Sequence, residues 1–316
     1  MTDAATPLLR FLGGTGTVTG SRFLIDTPRA RVLIDCGLFQ GLKALRLRNW
    51  EPFPIPPAEL DAVVVTHAHI DHSGYLPALV RQGFRGAVFA TADTVALCRI
   101  MLPDSGRVQE DDAAYAARKR FSRHQPPRPL YTEADAEQAL GHLRSVPFNA
   151  PLEIASGIHA TFRPAGHILG SAHVTIEIDG TPPRRVVFSG DLGRPHHPLL
   201  QPPAPPPDAD VIVIESTYGD RRHDDAASLL AFEEALQRTA ARGGVAIIPS
   251  FAVDRTEVVL FHLRRLIRAG RLPALPVYVD SPMALAALAV YRDAIAAGRA
   301  DVDPVPGGDD PFDTGP

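Results

Sequence analysis

Cysteine is scarce in this chain: two in 316 residues, Cys36 and Cys98, each in an apolar stretch. So few, so far apart, cannot form a disulfide framework, and a reducing, cytoplasmic setting is expected. Long apolar runs are missing as well. Nothing approaches the roughly 20 residues that span a bilayer, and the start MTDAATPLLRFLGG has neither a basic n-region nor an apolar core. No membrane partner is therefore expected. Nor is there an excess of positive charge: 32 Lys and Arg against 36 Asp and Glu give a formal net charge of −4. That excludes a broadly basic coat for nucleic acid, though not a local basic groove. A dinucleotide fingerprint is absent too. Gly14, Gly16 and Gly20 in LGGTGTVTGS are spaced one residue too wide and lead into a hairpin pattern rather than a helix, so a glycine-rich turn is expected.

What is present is an alternation of short apolar runs with turns and helical stretches. LLRFLGG, RFLID, RVLID, AVVVTH, AVFAT, VTIEID, RVVFSGD and VIVIEST read as strands, with helical patterns over Gly74 to Gln82 and Asp93 to Leu102. The mixture predicts α/β layers with sheets packed on helices. PHHPLLQPPAPPP, residues 195–207, is too rich in proline for a helix or an interior strand and reads as a surface connection. Beyond Ser228 a βαβ-like texture predicts helices over SLLAFEEALQRTAARG, EVVLFHLRRLIRAG and MALAALAVYRDAIAAG, separated by strands VAIIPS and PVYVDS. A catalytic domain over 1–220 and a second α/β segment over 221–316 are expected.

THAHIDHSG crowds three of the 12 histidines and one aspartate into residues 67–72, at the end of an apolar strand. Residues two apart on a strand face one side, so His67 and His69 can converge on one ion. Asp71 and His72, at the turn into a helix, suit a second ion nearby. A polar helix cap would explain one such residue but not four, since burying several unpaired polar groups is costly.

H-x-H-x-D-H after an apolar strand resembles the signature of the metallo-β-lactamase superfamily. The resemblance extends to RVLIDCGLFQG with Asp35, PAGHILGSAH with His167 and VVFSGDLG with Asp191. It implies an αββα sandwich. It also implies His67, His69, Asp71, His72, His167 and Asp191 as ligands of two Zn2+ ions, Asp191 bridging them, and Asp35 as a partner of the ligand histidines rather than a ligand itself. VIVIESTYGDRRH, IPSFAVDRTEVV and VYVDSPMA are similar to the β-CASP branch, with residues 221–316 as a partial cap. This branch cuts RNA or DNA, which implies an RNA substrate, attack by a metal-bridging hydroxide assisted by Asp71, and a proton-donor system supported by Glu215.

Ser250, Arg255 and Ser281 are candidate phosphate contacts, with helix capping and a surface arginine as the alternative reading. Arg118-Lys119-Arg120, Arg123-His124 and Arg221-Arg222-His223 are basic clusters that suit an RNA path or a solvated face. The branch places two further histidines late in the chain, and only His223 and His262 follow Glu215 here. The chain is therefore expected to be C-terminally incomplete. Two rival readings remain: a small-ester or thioester hydrolase of the same fold, and a catalytically weak RNA-binding protein. Self-association is left open.

Overall fold

The computed structural model describes residues 6–120, 124–221, 225–304 and 309–315. It divides into two compact units, Met1–Pro195 with Pro202–Glu215, and His196–Gln201 with Ser216–Pro316. No helix among the described residues is long and apolar enough to cross a membrane.

In the first unit, β1 (Leu8–Phe11), β2 (Phe23–Asp26) and β3 (Arg31–Ile34) form an antiparallel meander. The glycine-rich segment lies between β1 and β2, with Gly14, Gly16 and Gly20 at positive φ. After α1 (Lys43–Arg48), strand β4 (Ala62–Val64) adds parallel to β3. Then come α2 (Ile70–Ser73), α3 (Leu76–Arg81), β5 (Ala87–Thr91), α4 (Ala92–Lys119), α5 (Glu133–Leu140) and β6 (Leu143–Val146). They complete a six-stranded sheet in the order β1-β2-β3-β4-β5-β6. Val63 and Val64 are fully buried, as a strand covered on both faces requires.

The second sheet holds β7 (Leu152–Ala155), β8 (Ile158–Pro164), β9 (Ala172–Ile178), β10 (Arg184–Phe188) and β11 (Val211–Val213), ordered β11-β10-β9-β8-β7. Val32, Ile34 and Val64 from the first sheet share one core with Phe162, Val174, Ile176 and Phe188 from the second. Burying each such side chain contributes roughly 1.5–3 kcal/mol. The two-sheet α/β architecture expected from the sequence is thus present. Along the proline-rich connection, Ala204 N–H donates to the Pro164 carbonyl at 2.9 Å, and the Ala204 carbonyl accepts from His173 Nε2 at 3.0 Å.

Two expectations need correction. The helix expected to stop at Leu102 runs on to Lys119 with Pro103 inside it. Proline removes one backbone donor, and tertiary contacts hold the helix beyond it. Gly106 lies so close to the Thr132–Glu133 backbone that an added Cβ would fall 2.7 Å from it, and Ser105 Oγ pairs with Tyr131 at 2.7 Å.

The second unit carries α6 (Asp225–Ala241), α7 (Arg255–Arg268) and α8 (Pro282–Ala296), matching the three expected helices. The expected strands VAIIPS and PVYVDS are irregular chain without a ladder, and Val245, Ile247 and Tyr278 are exposed. Strand propensity alone does not make a strand, because the backbone needs a neighbour to pair with.

Inside this unit Glu257 is buried in the first turn of α7, and neither of its carboxyl oxygens has a hydrogen-bond partner among the described residues. Burial, with Asp254 nearby, pushes its carboxyl up to about 8. The unfolded chain ionises near the ordinary 4.5, so folded stability is highest below that pH and declines as pH rises toward 8. Glu257→Gln is expected to remove this loss. Unfolding free energies from denaturant titration should show no gain at pH near 4.5 and a gain of up to about 4–5 kcal/mol above pH 8. An equal effect at both pH values would contradict the assignment.

Candidate metal centre

Parallel pairing of β3, β4 and β5 aligns their carboxyl ends, and the chain leaves that edge with Asp35 after β3 and Thr66-His67 after β4. In the second sheet, the end of β8, the start of β9 and the end of β10 lie at one edge, which carries the loops of His167 and Asp191. Ala172 N–H donates to the Thr66 carbonyl at 2.9 Å and ties the two edges together.

Here His67, His69, His167 and Asp191 each offer one ligand atom, all within 4.8 Å of one another. His67 Nε2 lies 3.1 Å and His167 Nε2 3.2 Å from His69 Nδ1, with Asp191 Oδ2 at 3.8 Å from His67 and 3.6 Å from His167. Ligands bound at about 2.0–2.1 Å around a tetrahedral ion sit roughly 3.3 Å apart. The observed spacing brackets that edge length. A single imidazole nitrogen approached by two others leaves lone pairs facing one another, an arrangement that a shared cation relieves. The donor set fits zinc.

The expected second group lies alongside. His72 Nε2 is 3.2 Å from Asp191 Oδ1 and 3.9 Å from Asp71 Oδ2. His72 Nδ1 contacts Asp35 Oδ2 at 2.7 Å. Asp35, buried and at φ 57, also accepts from Thr66 N–H at 2.8 Å and from Thr66 Oγ1 at 3.0 Å. Thr66 Oγ1 in turn meets His67 Nδ1 at 3.1 Å. Asp35 and Thr66 thereby orient two imidazoles and decide which nitrogen faces the site. Thr66 was not anticipated. A threonine before the first histidine carries no signal beyond ordinary strand composition.

Electrostatics separate the histidines. Burial, with the imidazoles of His72, His69 and His167 close by, pushes His67 well below the ordinary range and keeps it neutral, the form that binds metal. Burial opposes charge on His72 too, but Asp35 and Asp191 outweigh it and raise that group well above the ordinary range. For Asp191, burial alone would raise the carboxyl, yet the His72 hydrogen bond and the other imidazoles hold it at about 2. Asp71 is raised by burial, with Asp191 and Asp35 adding repulsion. Cys36 and Cys98 are free and buried, their thiols pushed up to about 12 by burial, which keeps them protonated and poor nucleophiles at neutral pH.

Two glycines allow the loops this close. A Cβ on Gly37 would fall 1.6 Å from the Asp71 carbonyl oxygen, and one on Gly193 would fall 1.6 Å from that of Gly166, beside His167.

The remaining candidates are spread more widely. Glu215 is half-buried, and its N–H donates to Ser189 Oγ at 2.9 Å, two residues before Asp191. Ser250, Arg255 and Ser281 belong to the second unit. Ser281 caps α8, accepting from Ala284 N–H at 3.2 Å, as its alternative reading holds. Arg255 opens α7 and is exposed, as is Ser250. Arg118, Lys119 and Arg120 end α4 in solvent, while Arg123, Arg222 and His223 lie outside the described residues. His262 sits on α7, lowered by burial and by Arg265 and His197.

Two facing sheets with a histidine-rich metal site at their shared edge define a metallohydrolase fold. The profile of the beta-lactamase superfamily domain matches residues 30–250, and the chain belongs to that superfamily. It is 40% identical over 280 residues to Ribonuclease TTHA0252 of Thermus thermophilus, a match covering 88% of this chain and 59% of that protein. It is 35% identical to Transcription termination factor FttA of Methanosarcina mazei over 85% of this chain and 41% of that protein. To Cleavage and polyadenylation specificity factor 73 of Drosophila melanogaster it is 30% identical, over 94% of this chain and 42% of that protein. The chain spans three fifths or less of the length of these curated relatives.

Proposed function

We propose that this chain carries the metal-holding catalytic core of a zinc-dependent ribonuclease of the β-CASP branch, with residues 1–220 as catalytic domain and 221–316 as part of the cap. The observation that supports this reading most is the convergence of His67, His69, His167 and Asp191 within 4.8 Å at one edge of the two sheets. The similarity to a protein named a ribonuclease points the same way.

In this reading His67, His69 and His167 hold one zinc ion, Asp71 and His72 a second, and Asp191 both. When bound, zinc supplies Lewis-acid neutralisation of charge on a phosphodiester and acidifies water. The protein's own groups do the rest. Asp35 and Thr66 keep the His67 and His72 rings aimed. Asp71, beside His72 at the second group, orients the attacking water and takes its proton. Glu215, tethered beside the Asp191 turn through Ser189, supports protonation of the departing oxygen.

A hydrolase of small esters or thioesters could use the same donor set. Turnover of single-stranded RNA and of an acyl thioester by the zinc-loaded chain separates the two: RNA is expected to be cut and the thioester left intact. Thioester turnover without RNA cleavage would replace the proposal.

A further inference from the structure

The single tryptophan of the chain, Trp50, lies outside both metal groups, on the loop after α1. That loop is clamped to the segment that carries the site. Buried Asn49 accepts from Phe39 N–H at 2.9 Å and donates to the Phe39 carbonyl at 2.8 Å, and Leu38 N–H donates to the Ile70 carbonyl, one residue before Asp71, at 2.9 Å. Trp50 itself remains 36% exposed.

Its ring lies against His124, with centroids 4.2 Å apart and planes inclined by 39°, and the Arg128 guanidinium is 5.8 Å from its centroid. Exposed cations lie close to this group along the chain. Lys43 and Arg46 project from α1, and Arg120 ends α4 four residues before His124, so chain length keeps it within about 14 Å. Among the described residues none of Lys43, Arg46, Arg120 and Arg128 has an acidic partner within 4 Å. On a chain of net charge −4, this is a local departure in sign.

An exposed indole beside an imidazole and a guanidinium offers flat, polarisable surface to a base. Unpaired cations nearby offer counter-charge to a phosphate backbone. A duplex keeps its bases stacked on one another and could use only the cations. We propose that Trp50, His124 and Arg128 form a stacking step for an unpaired base of single-stranded RNA, with Lys43, Arg46 and Arg120 meeting its phosphates. The inference rests on the ribonuclease reading and deepens it by giving the substrate a track on the first unit.

Because Trp50 is alone, its fluorescence reports the step directly. With metal chelated so that RNA stays intact, the full chain is titrated with single-stranded oligoadenylate, with the same length as duplex RNA, and with heparin. Saturable quenching by the single strand, weaker at higher salt, is expected, with little quenching by duplex or heparin. Trp50→Ala should weaken single-strand binding, measured by anisotropy of labelled RNA, by about 5- to 100-fold, and Trp50→Phe should restore most of it. Three results would overturn the step: no binding, heparin quenching equal to that by RNA, or unchanged affinity in Trp50→Ala. Cleavage by the zinc-loaded chain is scored separately. RNA cut with Trp50 silent sinks the stacking step alone, and Trp50 quenched with RNA uncut sinks the ribonuclease reading alone.

Discussion

Asp191→Ala is expected to lower bound zinc substantially and to reduce RNA cleavage by at least about 10³-fold, while Glu215→Ala keeps its metal and loses rate only. The asymmetry follows from position. Asp191 places one carboxylate oxygen 3.6–3.8 Å from the His67 and His167 ligand nitrogens and the other 3.2 Å from His72 Nε2. In the proposed arrangement removing it takes a ligand from both groups at once, and the imidazoles left behind have no carboxylate of Asp191 between them. Glu215 reaches this region through a backbone bond to Ser189 Oγ and is absent from the four-residue ligand cluster. Loss of a proton-transfer system typically costs about 10²–10⁴ in rate without displacing metal. Metal analysis of the two purified variants beside their cleavage rates decides the matter, and equal zinc loss in both would remove the distinction.

The second large effect comes from a residue that touches no metal. Gly193 N–H donates to the Ala165 carbonyl at 2.8 Å, so the Asp191 turn and the His167 loop run in contact. A Cβ at Gly193 would stand 1.6 Å from the Gly166 oxygen, 2.0 Å from its carbonyl carbon and 2.6 Å from His167 N. All three are backbone atoms, which cannot swing aside as a side chain would. Gly193→Ala must therefore push the His167 loop outward by more than about 1 Å, and misplacement on that scale costs on the order of 10²-fold in function. Zinc affinity of Gly193→Ala should fall by that factor or more. Gly180→Ala, whose Cβ would meet the Pro182 oxygen at a milder 3.1 Å, should bind zinc like the parent. Equal affinity in the two variants would show that the loops have slack.

How far the site was legible depends on sequence distance. His67, His69, Asp71 and His72 fall within six residues at a strand end, so local periodicity is enough to bring them together. His167 and Asp191 lie about a hundred residues on, and nothing local says that their loops meet the first sheet. Only the resemblance to a known superfamily nominated them. Thr66 stayed hidden because its role depends on Asp35, 31 residues earlier, supplying the acceptor.

The same reason governs the fold. Strand β8, with Ile158, Ala160 and Phe162 inward and His159, Thr161 and Arg163 alternating with them, carries a period-2 pattern that was missed among the shorter runs. The helical pattern reads only as far as Leu102, and packing on α5 carries the helix past Pro103 to Lys119. In the second unit, apolar runs suggested strands, but a strand exists only when a neighbour pairs with it, and Val245 and Ile247 lie open instead.

The most direct measurement is the rate of single-stranded RNA cleavage by the chain after exhaustive chelation, with and without zinc returned. Cleavage that falls to background in the stripped protein and returns with zinc in proportion to the ion bound is the expected result. Full cleavage by protein shown to be free of metal would contradict the role given to His67, His69, His167 and Asp191.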